Sequence, residues 1–195
     1  MNLPKTPKGL SNKITKIRSQ FSAFKREYGG LDDGGGARYY LFYLYFLLGD
    51  NRRSSAFLRW YEKEFPDDAG EPIQLLCWAL ILRKMGKNAE LQLARTMLSN
   101  IYLLPHLLGK DLERQDMWHF SNDTEPDIIE YIPERVLEAI TEDDVIWIRD
   151  KYNSESFRKV LKRHISIHKI LQTISVGDER RALVQEAFSL LDEFR

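Results

Sequence analysis

The chain has 195 residues, 29 Lys and Arg against 29 Asp and Glu, and 43% hydrophobic residues, enough apolar surface for a packed core and too much for disorder along its whole length. Its single cysteine, Cys77, excludes an internal disulfide framework and any structural zinc site needing two thiolates, and points to a reducing compartment. Zero net charge gives no global reason to expect nucleic acid or an anionic membrane as partner.

The first 28 residues set seven cations, Lys5, Lys8, Lys13, Lys16, Arg18, Lys25 and Arg26, against Glu27 alone, so they carry +6 and the rest of the chain −6. From Ser11, a good helix cap, apolar residues recur at Ile14, Ile17, Phe21, Phe24 and Tyr28, a spacing of three and four that predicts a narrow amphipathic helix. Its stripe suits docking on the acidic body of the same chain or on a second copy, which makes the arm a route to homo-oligomers. A basic helix of this kind also serves nucleic-acid or membrane-surface attachment. The segment lacks the apolar core of a secretory signal, and the expected location is cytoplasmic. Next comes GGLDDGGG over residues 29–36, read as a hinge. A phosphate cradle there would need a preceding strand and a Lys-Ser/Thr pair after it, and neither is present.

Beyond residue 37 the periodicity is helical throughout. Tyr39 to Leu48 is apolar on all sides but only ten residues long, short of the ~20 required to cross a bilayer. The helix from Ala37 to Leu48 therefore calls for neighbours all around it. Asp50 or Asn51 can cap a second helix reaching about Phe65, before Pro66-Asp67-Asp68. Pro72 opens a third that runs to Gly86. Asn88 can cap a fourth, with Leu91, Ala94, Leu98 and Ile101 inward, until Leu104-Pro105 breaks it.

Gly49-Asp50 and Gly86-Lys87 fall between the paired helices, 37 residues apart. Pro66 lies seventeen residues beyond Gly49, Tyr45 four before it and Leu58 nine after it. Gly177-Asp178 repeats the device between a helix over Ser156 to Ile174 and a second carrying Leu183, Ala187, Leu190, Leu191 and Phe194. This pattern resembles a degenerate tetratricopeptide repeat. The position five after each Gly, small in that family, holds Ser54, Leu91 and Ala182, and the Pro recurs only in the first hairpin. The stretch Asn100-Ile-Tyr-Leu-Leu-Pro-His-Leu-Leu-Gly109, with Trp118 and Glu130-Tyr131-Ile132, is similar to a segment of some tetratricopeptide-like proteins. The resemblance implies an all-α fold of stacked antiparallel helix hairpins over residues 37–195 and a non-enzymatic binding module, and it names no ligand.

Residues 105–152 are less regular. Pro133 can open a helix through Val136, Leu137 and Ile140, and Thr141 can cap another whose first turn holds Glu142, Asp143 and Asp144, where the helix dipole favours anions.

The one spacing suited to a metal is His164-Ile-Ser-Ile-His168, two imidazoles on one helical face. They share that face with Phe157, Val160, Leu161, Ile167, Leu171 and Ile174, and a third ligand would have to come from His106, His119 or a distant carboxylate. The pairs Asp32-Asp33, Asp67-Asp68 and Asp143-Asp144 sit in turns or first helical turns, where capping accounts for them without acid-base catalysis. Cys77 lies among Leu75, Leu76, Trp78 and Leu80, a poor setting for a thiolate nucleophile. Trp118-His119-Phe120 either caps the core or lines a pocket.

The expected function is recognition of a protein or peptide on a concave helical surface, with no catalytic residue, metal or cofactor. Polar and amphipathic positions of the inner helices, Arg38, Tyr45, Gln74, Arg83, Asn100 and His106, are the expected groove residues. The competing expectations are a metal or small-molecule binder built on His164 and His168, and a nucleic-acid or membrane adaptor directed by the arm.

Overall fold

The computed structural model describes residues 3–31, 33–110 and 112–195, and among them the chain is all-α, with no strand. Ten α-helices follow in chain order: α1 (Pro7–Tyr28), α2 (Ala37–Leu48), α3 (Asn51–Glu64), α4 (Pro72–Lys84), α5 (Glu90–Ser99), α6 (Leu103–Leu107), α7 (Glu134–Glu138), α8 (Glu142–Tyr152), α9 (Glu155–Thr173) and α10 (Asp178–Ser189). Three 3-10 turns add Asn122–Thr124, Pro126–Tyr131 and Leu190–Phe194. No helix among the described residues is long and apolar enough to cross a membrane. The described residues divide into two compact units, one reaching Asn88 and completed by Pro133–Ala139, the other made of Ala89–Ile132 and Ile140–Arg195.

In the first unit α1 begins a turn earlier than Ser11. The Thr6 hydroxyl accepts from the Gly9 amide at 3.1 Å and Pro7 fills the first helical position, a stronger start than the serine offers. The earlier start adds Leu10 to the buried stripe of Ile14, Ile17 and Phe21, which packs on α2. Tyr28, at the far end of the predicted stripe, is 64% exposed. Gly29 takes φ 77° and closes the helix through its amide to the Lys25 carbonyl at 2.8 Å.

α2 has the predicted limits and lies between α1, α4 and α7. Its all-round apolar surface is buried, as a helix with no polar face requires. Phe42 is the hub of an aromatic cluster, edge-on to Phe57 at 4.8 Å and to Tyr61 at 4.7 Å and tilted on Trp78 at 5.3 Å. Each such ring taken from water contributes roughly 1.5–3 kcal/mol. The Asp50 carboxylate caps α3 by accepting from the Arg53 amide at 3.0 Å.

Before α4, Gly70 takes φ 79°, and a Cβ placed on it would lie 2.6 Å from the Gln74 Oε1 and 2.9 Å from a Leu75 methyl. Glu71 and Gln74 form a capping box that starts the helix. α4 ends in a Schellman motif, the Gly86 amide donating to Arg83 and the Lys87 amide to Leu82. Cys77, in mid-α4, has no exposed surface, and burial pushes its thiol far above the usual value.

In the second unit α5 is capped by Ala89 rather than Asn88, and its inward face is Leu93, Ala94, Met97 and Leu98, with Leu91 half-exposed. Leu91, Leu93, Ala94, Met97 and Leu98 spread over a wide arc of the helix, so period alone leaves the register open. α5 stops at Ser99, before Pro105, which instead sits within the first turn of α6, where no amide donor is needed. Thr141 and Asp144 form the capping box of α8. α9 begins at a Ser154 cap and buries Phe157, Val160, His164, Ile167, His168 and Leu171 on one face. α10 buries no residue, and of its expected apolar set only Phe194, beyond it in the last 3-10 turn, is buried, against Phe157 at 4.6 Å. Gly49 and Gly86 share a left-handed φ near 65°, whereas Gly177 is extended at φ 169°, so the third turn has a different geometry from the first two.

Candidate functional site

Two stripes run along α1. The apolar one faces α2, and beside it Thr15, Arg18, Ser19, Ser22, Ala23 and Arg26 recur at helical spacing. Four of these side chains are short, so the helix surface is low between its two arginines, and a groove of about 660 Å³ opens there. Ile14, Tyr45 of α2 and Arg53 of α3 complete its lining, and every charged side chain in that lining is an arginine.

Arg18 is held rather than free. Its guanidinium lies 3.8 Å from the centre of the Trp60 ring, a cation–π contact that fixes its plane. Its Nη1 is shut off from solvent with no hydrogen-bond partner. Burial makes Arg18 a weaker base than a free arginine, with the nearby Tyr45 and Glu64 working in the opposite direction. Glu64 is engaged by the Lys25 ammonium at 2.5 Å. Arg53 donates from Nη1 to the Ser11 hydroxyl at 2.8 Å. Thr15 and Ser22 donate their hydroxyl protons to the carbonyls of Ser11 and Arg18, each at 3.0 Å, so the groove's positive character comes from its guanidinium groups.

Of the six expected groove residues, Tyr45 alone lines this groove, with its ring stacked on Phe57 at 4.3 Å. Burial raises its hydroxyl's pKa, and the charges of Arg18 and Arg53 pull it back. Arg38 is bound instead to a carboxylate pair. It donates to Asp33 at 2.9 Å and to Asp68, and Tyr39 donates to Asp68 at 2.6 Å. Burial opposes the charge on Asp68, but the bonds from Arg38, Tyr39 and the Gly70 amide outweigh it and hold the carboxyl below its usual value. Asp32, its predicted turn companion, lies outside the described residues. Gln74 is fully buried and serves the α4 capping box. Arg83 is half-buried near the end of α4.

Asn100 and His106 belong to the second unit. Asn100, 1% exposed, donates to the Asp123 and Glu125 carbonyls and accepts from the Tyr102 and Leu103 amides. That uses all four of its bonding capacities, leaving none for a ligand. His106 is exposed.

The imidazoles of His164 and His168 do meet, with ring centres 4.2 Å apart. Burial first, then His168, pushes His164 down to about 3, and His164 Nδ1 has no hydrogen-bond partner. His168 Nδ1 bonds to the Trp118 carbonyl at 3.2 Å, and the Trp118 amide donates to the His168 carbonyl at 3.1 Å. Phe120 and Trp118 lie over His168, and Arg180 lies 4.9 Å from the Trp118 ring centre. His119 turns away to the Tyr102 hydroxyl at 3.0 Å. Among the described residues no three His, Cys, Asp or Glu side chains gather as a metal ion would require. His168 ties Trp118 and Phe120 to α9.

In the sequence Arg18 and Arg26 stand among the seven cations of the arm. The second stripe, residues 15–26, was legible at the same spacing, whereas the approach of Arg53 from α3 is a tertiary fact. No known family, curated protein or solved structure matches the chain.

Proposed function

We propose that this chain is a non-enzymatic recognition module that docks an acidic stretch of polypeptide along α1 of the first unit. The observation that carries the reading is the groove whose charged lining is Arg18, Arg26 and Arg53. Guanidinium groups in a recess present planar donor forks that match carboxylates. From Thr15 to Arg26 the helix rises about 16 Å, which an extended chain spans in roughly five residues. The reading favours peptide over single-stranded nucleic acid for a specific reason. Bases need a free aromatic face, whereas Tyr45 is stacked on Phe57 and the face of Trp60 is taken by Arg18.

The wider reading of a tetratricopeptide-like stack draws support from the α2–α3 hairpin and its left-handed Gly49 turn. The groove reading does not depend on it, since α4 and α5, the second hairpin of that stack, fall in different units.

The test is fluorescence anisotropy with a labelled nine-residue peptide of Asp and Glu, beside its Asn and Gln counterpart. The acidic peptide is expected to bind at least tenfold tighter, to weaken steeply with added salt, and to lose that advantage in an Arg26→Glu/Arg53→Glu chain that keeps its helical circular dichroism. Equal binding of the two peptides overturns the reading.

A further inference from the structure

Arg18, Arg53 and the Tyr45 ring share the lining of the groove. Arg18 and Arg53 come from different helices, yet both act electrostatically on the Tyr45 hydroxyl. Arg18 lines the groove with its guanidinium plane set by Trp60. The carboxylates whose charge is felt here are already committed, Asp50 to the cap of α3 and Glu64 to Lys25.

A carboxylate brings one charge and two oxygens, which a single guanidinium fork satisfies. A phosphoryl group brings a charge of about −1.5 to −2 and three strong acceptor oxygens, matching two guanidinium groups and a phenol. Resting on the acidic-segment reading above, we propose that the groove's preferred occupant carries a phosphorylated side chain, seated on Arg18 and Arg53 beside the Tyr45 hydroxyl. Arg26, two turns along α1 from Arg18, then serves the flanking acidic residues.

The experiment compares three labelled peptides on the whole chain: an acidic nine-residue peptide with a central serine, the same peptide with phosphoserine, and one with glutamate at that position. The phosphopeptide is expected to bind at least tenfold tighter than the serine and glutamate forms. Arg53→Lys, which keeps the charge and removes the fork, is expected to reduce that preference to under threefold. Arg26→Gln is expected to weaken all three peptides by a similar factor. Equal affinity for the three peptides, or a full phosphate preference surviving in Arg53→Gln, overturns the phosphoryl seat and leaves acidic docking standing. Failure of all three to bind overturns both.

Discussion

His164 is a basic side chain placed where a proton is unwelcome. It is buried, it faces the ring of His168, and its Nδ1 has no partner. Its native pKa is therefore depressed, whereas in the unfolded chain it returns to about 6.5. His168 is shifted the same way by burial, opposed by the Trp118 carbonyl and reinforced by His119. The unfolded state binds more protons, so the stability from these neutral imidazoles is complete above about pH 6.5 and is lost as the pH falls toward the native values. Urea midpoints are expected to drop between pH 7 and pH 5, and His164→Leu, which removes a polar atom that bonds to nothing, to flatten that slope without lowering the pH 7 midpoint. An unchanged slope in the variant contradicts this account. The sequence placed both imidazoles on the apolar face of their helix, and residue identity went no further: only the fold reveals that Trp118 takes one ring and His119 turns to Tyr102.

Helix ends were more legible than helix faces, because an end is written in one or two residues with strong local chemistry. Gly49, Asp50, Pro72 and Thr141 each mark a boundary the chain obeys. Faces were less legible: Leu91 is half-exposed while Ala94, Leu98 and Ile101, expected inward with it, are buried, and α10 keeps an open side. Nothing in the sequence around Gly70 announces a left-handed residue. It takes φ 79° while its amide donates to Asp68 at 3.0 Å, and Gln74 and Leu75 fill the space a side chain would need. Gly70→Ala is expected to cost about 2 kcal/mol from backbone strain and the clash together, read as a lower urea midpoint at unchanged slope. Gly49→Ala, where nothing lies within 4 Å, carries only the backbone part and costs about 1 kcal/mol. Equal losses at the two sites contradict the packing explanation.

For the molecule as a whole, the helical spacing beyond residue 37 predicts an all-α fold, and the described residues are all-α with no strand. The sequence was less informative on what the basic arm does. Its first helix lies against α2 with four residues buried, and α7, from a stretch that reads as irregular, returns to α2 as well. Long-range partnership of this kind has no local signature, since the apolar stripe of α1 suits a second copy equally well. Cys77, fully enclosed in α4 of the same unit, can judge the matter. The intact protein is expected to resist a thiol-labelling reagent, and a chain lacking residues 1–28 to label at least tenfold faster, because α2 then loses one of its walls. Equal rates would mean that α1 is dispensable to that interior.

The enclosure of that lone sulfur has a practical corollary. A chain with one cysteine, and that one sealed, carries its own stopwatch: no dye needs grafting and no competing thiol needs removal. The rate at which a maleimide captures it counts how often the first unit breathes, and a bound peptide that steadies α1 would slow the count without ever approaching the sulfur.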